Sequence, residues 1–174
     1  MNRLLKPVVA LVLLGTAGVS TVACSTDSTD TGTAYSVAVT LDTAEAPVLV
    51  INEVGVNKEH RYGEAQLVGK AELAGEQVDV EVLAIVNYLD GNGPFEGFWT
   101  FTAGNGDRLA LSYSGEAEQR DGRGQLRGTV KVLGGTGRYA KVTGSGTVEG
   151  KRSGEFRSGT AIAYLVTLHL SGVS

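Results

Sequence analysis

The chain has 174 residues, a formal net charge of −4, 42% hydrophobic residues and a single cysteine, Cys24. A lone thiol excludes an internal disulfide, and export signals without a nucleic-acid recognition motif argue against DNA or RNA as a partner. Glycine, at 25 residues, is about twice as frequent as in an ordinary globular chain.

At the N-terminus, Arg3 and Lys6 precede a short apolar run, Val8 to Leu14, and then small residues ending in Thr21-Val22-Ala23-Cys24-Ser25. The run is far shorter than the ~20 residues that span a bilayer, so residues 1–23 are expected to be a secretory signal peptide. The place of Cys24 after small residues resembles the lipobox of bacterial lipoproteins. That resemblance implies lipidation at Cys24 and an exported protein held at the cell envelope by its lipid alone; an incidental free thiol is the alternative. Residues 24–33 follow as a polar tether, because they carry too little apolar surface to offset the entropy of ordering them. The remainder, 34–174, has the size of one domain.

Charge is segregated along the chain. Sixteen acidic residues stand against four basic ones between Cys24 and Gln119, and nine basic against three acidic from Arg120 onward. Acidic and basic strands paired across a sheet would account for this; a basic sector facing an anionic substrate or anionic lipid is the alternative.

Through the folded part the apolar period is two rather than 3.6. Tyr35, Val37, Val39 and Leu41 alternate with small or polar residues, and Val48 to Ile51 is a short apolar run. Gln77 to Leu89 alternates at first and then becomes apolar on both faces. Trp99 and Phe101 share a face, as do Leu109, Leu111 and Tyr113, and Leu126, Val130 and Val132 form a further alternating set. The last run, Thr160 to Leu170, is apolar on both faces. Asp90-Gly91-Asn92-Gly93-Pro94, Gly104-Asn105-Gly106-Asp107, Asp121-Gly122-Arg123-Gly124 and Gly134-Gly135-Thr136-Gly137 supply the positive φ of tight hairpins. Antiparallel strands joined in this way predict a barrel or a sandwich. The two runs apolar on both faces favour a closed barrel, whose outer faces would meet a partner subunit in a homo-oligomer.

Gly135-Thr136-Gly137 with Ala140 has the G-x-G-x-x-A form of a dinucleotide-binding turn. Such a turn needs a helix behind it and further βαβ units, whereas Tyr139 to Thr147 carries glycines and threonines at strand spacing. A hairpin is expected here. The two histidines, His60 and His169, have no ligand partners at metal-site spacing, and no serine stands in a nucleophile elbow. A metalloenzyme, hydrolase or redox enzyme is therefore disfavoured.

Phe101-Thr102-Ala103-Gly104-Asn105-Gly106-Asp107-Arg108-Leu109, then Gly134-Gly135-Thr136-Gly137-Arg138-Tyr139 and Gly144, and finally Leu168-His169-Leu170-Ser171-Gly172, resemble the core of allene oxide cyclases and plant dirigent proteins. The likeness covers Trp99 to Gly172. It implies an all-β fold, a single closed antiparallel eight-stranded β-barrel of calycin-like form, with an apolar cavity and no cofactor. It further implies a ring-forming cyclase, of isomerase or pericyclic type, acting on a hydrophobic polyunsaturated small molecule by positioning and a few polarising groups. The cyclases carry a Glu-Ile-Asn element on the first barrel strand; the matching segment is Val50-Ile51-Asn52, with Asn52 kept and Val50 in place of the Glu.

On this reading Trp99, Phe101, Tyr88 and Tyr164 line the substrate site, and Tyr113, Asn52 and His169 polarise a carbonyl or alkoxide. Ordinary core packing is the competing use of each aromatic residue. Two other functions stand beside the cyclase: a lipid-anchored barrel that binds an apolar small molecule unchanged, and an envelope protein that only presents a surface to a partner.

Overall fold

The computed structural model describes residues 32–174. The expected signal peptide, Cys24 and most of the tether lie outside the described residues. The described residues form nine strands: β1 (Thr33–Asp42), β2 (Val48–Val54), β3 (His60–Leu73), β4 (Glu76–Leu89), β5 (Gly93–Ala103), β6 (Arg108–Arg120), β7 (Arg123–Gly135), β8 (Thr143–Ser153) and β9 (Ala161–Ser171). Helical structure among the described residues is confined to two single 3-10 turns, Thr43–Glu45 and Gly137–Tyr139. Among those residues no helix is long and apolar enough to cross a membrane.

All nine strands belong to one antiparallel sheet in the order β1-β9-β8-β7-β6-β5-β4-β3-β2. From β2 to β9 the chain is a meander, and β1 alone pairs out of sequence, with Thr33 opposite Leu170 and Asp42 opposite Ala161. The expected closed eight-stranded barrel does not form. The sheet curls until β1 faces β3, so that a methyl group on Gly69 would lie 2.6 Å from Leu41 Cδ2. No ladder joins these two strands, however. The first half of β3 is already taken by β2, which pairs from Val48–Gln66 to Val54–His60. The result is a curled half-barrel with β1 and β2 as its edges.

Alternation decides which face is concave. Val37, Val39 and Leu41 on β1, the even-numbered residues Val78 to Tyr88 on β4, Trp99 and Phe101 on β5, and Ile162 to Leu170 on β9 are buried in one continuous core. Each such aliphatic side chain contributes about 1.5–3 kcal/mol on burial. The convex face keeps several large apolar residues exposed, among them Leu83, Ile85, Phe98 and Leu165; all of these but Phe98 belong to the second faces of the doubly apolar runs. A bulge in the β6–β7 ladder, where Ala110 faces Gly134 and Leu111 faces Val132, leaves Leu133 as the extra residue, exposed.

β3 has no counterpart in the expectations from sequence. Its inward positions are Gly63, Ala65, Leu67, Gly69, Ala71 and Leu73, and its outward ones include Tyr62, Gln66 and Val68. Half of the inward set has almost no apolar volume, so the period-two signal is weak although the strand is fourteen residues long. The Gly135-Thr136-Gly137 segment ends β7 and leads through one 3-10 turn directly into β8. That connectivity excludes the dinucleotide-binding reading.

The segregated charges meet in part across the sheet. Arg138 pairs with Glu76 at 2.5 Å, Arg61 with Glu155 at 2.6 Å, and Arg127 stands in register with Glu116, whereas Lys70 and Asp79, paired at 2.5 Å, both belong to the acidic part. Exposed pairs of this kind contribute little each, about 0–1 kcal/mol.

Three hairpins place positive φ at both central residues, as type I′ turns require: Ala74-Gly75 (54° and 79°), Asp90-Gly91 (50° and 78°) and Asp121-Gly122 (49° and 73°). Asp tolerates this region, whereas alanine in a left-handed conformation costs roughly 1–2 kcal/mol. Ala74→Asn is therefore expected to stabilise the protein by about 1 kcal/mol, read as a higher urea midpoint with an unchanged m-value.

Candidate functional site

Within the curl, aromatic side chains from four strands and the β8–β9 loop cluster together in the core. Trp99 stacks on Phe101 at 5.9 Å between ring centres and meets Tyr113 (6.0 Å) and Tyr164 (5.2 Å) edge-on. Phe95 lies 5.7 Å from Tyr113. Tyr88 receives the edge of Phe156 at 6.3 Å. The order of contacts follows from register: Trp99 faces Val82 on β4 and Leu111 on β6, and the inward side chains above it toward the β8–β9 loop are Phe95, Tyr113 and Tyr164.

Glycines make this arrangement possible. A Cβ on Gly150 would stand 3.1 Å from the Tyr164 ring, one on Gly97 3.1 Å from Tyr113 Cε1, and one on Gly115 2.6 Å from Phe95 Cζ. Each ring lies against the bare backbone of a neighbouring strand. The glycine excess that read as turn chemistry is thus partly a set of seats for rings inside strands.

The cluster is rich in donors. Tyr88, Tyr113 and Tyr164 are buried, and burial is the main reason that all three phenols are held above the ordinary tyrosine range, Tyr113 and Tyr164 strongly so. Tyr88 also raises Tyr113 and Tyr164, and Tyr164 raises Tyr113. They are neutral hydrogen-bond donors at any physiological pH. Trp99 Nε1 is buried without a partner. Neither a carboxylate nor an imidazole is among the fully buried residues.

Five of the residues singled out from sequence, Tyr88, Trp99, Phe101, Tyr113 and Tyr164, therefore come together. Asn52 and His169 do not. Asn52 is exposed on β2, opposite Tyr62, with its Nδ2 donating to the Tyr62 carbonyl at 3.5 Å. His169 has the opposite phase to the inward-facing Leu168 and Leu170 and stands half-buried on the convex face between Ala34 and Ser145. The period of two decides both cases, since a residue adjacent to an inward one points out. Cys24 lies outside the described residues.

Two residues of the site carried no functional expectation. Arg152 ends β8 on the inward face, in phase with Val148 and Gly150, and is only 1% exposed. Its guanidinium lies over the Tyr88 ring at 5.1 Å. Phe156 belongs to the β8–β9 loop, residues 154–160, which covers this end of the curl. The loop is fastened by Arg61 Nη2 to Glu155 Oε2 at 2.6 Å and by Thr160 N donating to Thr43 Oγ1 at 2.8 Å. The hydrogen bond from Arg61 holds the Glu155 carboxyl below the usual carboxylate range. The sequence signal for Arg152 was its phase: counting by two from Val148 puts a cation on the concave face.

Three adjoining hollows, of about 310, 530 and 490 Å³, open on the convex face and share Ile85. Among the described residues no group of three or more His, Cys, Asp or Glu side chains is placed to hold a metal ion. The chain matches no family model, no curated protein and no solved structure, so the likeness to the cyclases rests on the residues quoted for it.

The buried phenols give stability a defined dependence on pH. Unfolded tyrosine loses its proton near pH 10, whereas the folded phenols hold theirs to higher pH, so above about pH 10 the unfolded state binds fewer protons and stability falls. The urea midpoint is expected to drop above that pH, and tyrosinate absorbance at 295 nm to rise together with unfolding for these three residues. Gly150→Ala is expected to cost about 1–3 kcal/mol through overpacking against Tyr164, with a shift of Trp99 emission as its signature.

Proposed function

We propose that the protein binds a small apolar molecule bearing a hydrogen-bond acceptor at the Tyr88, Tyr113 and Tyr164 end of its curled sheet, beneath the β8–β9 loop. The observation that carries this reading is the convergence of three neutral phenols and an unpaired indole N–H in an aromatic enclosure free of buried carboxylates. Apolar sites with a few oriented polar groups are the common form of small-molecule pockets. The rings occupy the centre of the curl, so a guest takes the space that Phe156 fills, and loop 154–160 must move to admit it.

The second reading is the cofactor-free ring-closing cyclase implied by the likeness to allene oxide cyclases and dirigent proteins. It is favoured by donors that would polarise a carbonyl without transferring a proton, which is all that a pericyclic closure asks of its site. With Asn52 and His169 on the convex side, the enclosure offers no general base. Binding is therefore the stronger reading and catalysis the dependent one. In both, the molecule works at the cell envelope, tethered through Cys24. Metabolic labelling with palmitate, retained by the unaltered chain and lost in Cys24→Ser, tests that placement.

Trp99 is the one tryptophan of the chain and reports the site directly. Titration with 2-octanone is expected to change its emission saturably. Tyr164→Phe and Tyr113→Phe are expected to weaken binding about 3- to 10-fold, the worth of one buried hydrogen bond, while Asn52→Ala and His169→Ala leave it unchanged. A non-saturating response would defeat the binding proposal. Incubation with conjugated polyene carbonyl compounds that yields no isomer of unchanged mass would remove the cyclase and leave the binder.

A further inference from the structure

Arg152 poses a problem that the apolar ligand alone does not solve. It is 1% exposed, yet none of the ion pairs among the described residues includes it. Its Nε donates to the Gly154 carbonyl at 3.0 Å, and its Nη2 donates to the Gly91 carbonyl at 3.4 Å and Gln119 Oε1 at 3.3 Å. Nη1 is buried with no acceptor. Gly124, directly opposite on β7, leaves the room for the guanidinium: a Cβ there would stand 2.9 Å from Nε and 3.0 Å from Nη2. Burying a cation costs several kcal/mol unless an anion or a full set of acceptors compensates it. Neutral carbonyls, the Gln119 amide and Tyr88, through its ring and its phenol oxygen, hold this group, and the Glu155 carboxylate acts on it through space, yet Nη1 is left without an acceptor.

The neighbouring charges say what is missing. Arg61 stands opposite Tyr88 and is engaged by both Glu53, at 3.3 Å, and Glu155, at 2.6 Å. It is not available to a further anion. One cation with one free N–H₂ group suits a single negative charge, and a planar carboxylate matches guanidinium geometry. Beside the guanidinium lies the Tyr88 ring, itself packed edge-on against Phe156.

We propose that Arg152 anchors the carboxylate of a small monoanionic ligand whose apolar body lies against Tyr88 and Phe156 beneath loop 154–160. This deepens, and rests on, the reading of an apolar guest at this end of the curl. The loop is built to yield: it is bounded by Gly154 and Gly159 at φ of 88° and 78°, and the carbonyl that holds Arg152 Nε is its own first one.

The test compares octanoate with octan-1-ol, its uncharged twin, by calorimetric titration of the full-length protein at pH 7. Octanoate is expected to bind at least about tenfold more tightly, as a charge-assisted hydrogen bond in a dry site warrants. Arg152→Met is expected to remove that preference while keeping octan-1-ol affinity. Equal binding of the two by the unaltered chain overturns the carboxylate site and leaves the apolar pocket standing, and it does so whether or not R152M folds. Binding of neither overturns both. Octanoate binding unchanged in a folded R152M, or octyl phosphate binding more tightly than octanoate, also overturns the assignment.

Discussion

Contact between aromatic rings and bare backbone organises this molecule. A sheet of nine strands can curl only as far as its inward side chains allow, and here three of the large inward rings, Phe95, Tyr113 and Tyr164, are taken up because strand positions beside them lack a Cβ. Buried rings remove large apolar areas from water and prefer tilted or edge-on contacts, and the observed geometries follow that preference. The sheet thereby orients two of the phenols: Tyr113 and Tyr164 are fixed by strand register and by a glycine seat on a neighbouring strand, whereas Tyr88 packs against Arg152 and Phe156. Glycine in a strand interior is ordinarily a weakness. In this fold it is the condition for a rigid, donor-lined interior.

That interior is chemically lopsided. Phenols, an indole and a guanidinium all donate, and the acceptors within reach are backbone carbonyls and the Gln119 amide. In a medium of low dielectric, unpaired donors are costly and paired ones strong. The imbalance gives an incoming oxygen a large differential interaction. It also explains why Arg152, rather than one of the exposed cations of the C-terminal third, is the informative charge: the exposed ones face water, where salt and solvent screen them, and the half-buried Arg138 is paired with Glu76.

Much of the architecture was legible in the sequence. The alternating runs of β1, β4, β5, β6 and β9, the glycine turns and the absence of a helix after Gly137 are all direct expressions of period and backbone freedom. Five aromatic site residues could be named because they stood in those runs. What escaped had physical reasons. β3 hides its inward face behind Gly63, Gly69 and alanines, so its role as the partner of both β2 and β4 is a tertiary fact. Closure was overestimated, because the pairing of β2 with β3 occupies an edge that a closed barrel would give to β1. Asn52 and His169 are each one position out of phase with their strand's inward set, a distinction that alternation alone leaves undetermined until one face is known to be inside. Arg152 was passed over because a charge on a strand reads as solvent-facing by default.

The unjoined seam between β1 and β3 has a mechanical consequence. β1 hangs from β9 by one ladder of ten residue pairs, while its other flank meets β3 through side chains such as Leu41 only. Any tension carried by the N-terminal segment enters the sheet at Thr33, the first residue of that ladder. The half-barrel thus meets whatever precedes Thr33 through an edge strand, and traction there would strip β1 while the meander from β2 to β9 stays whole.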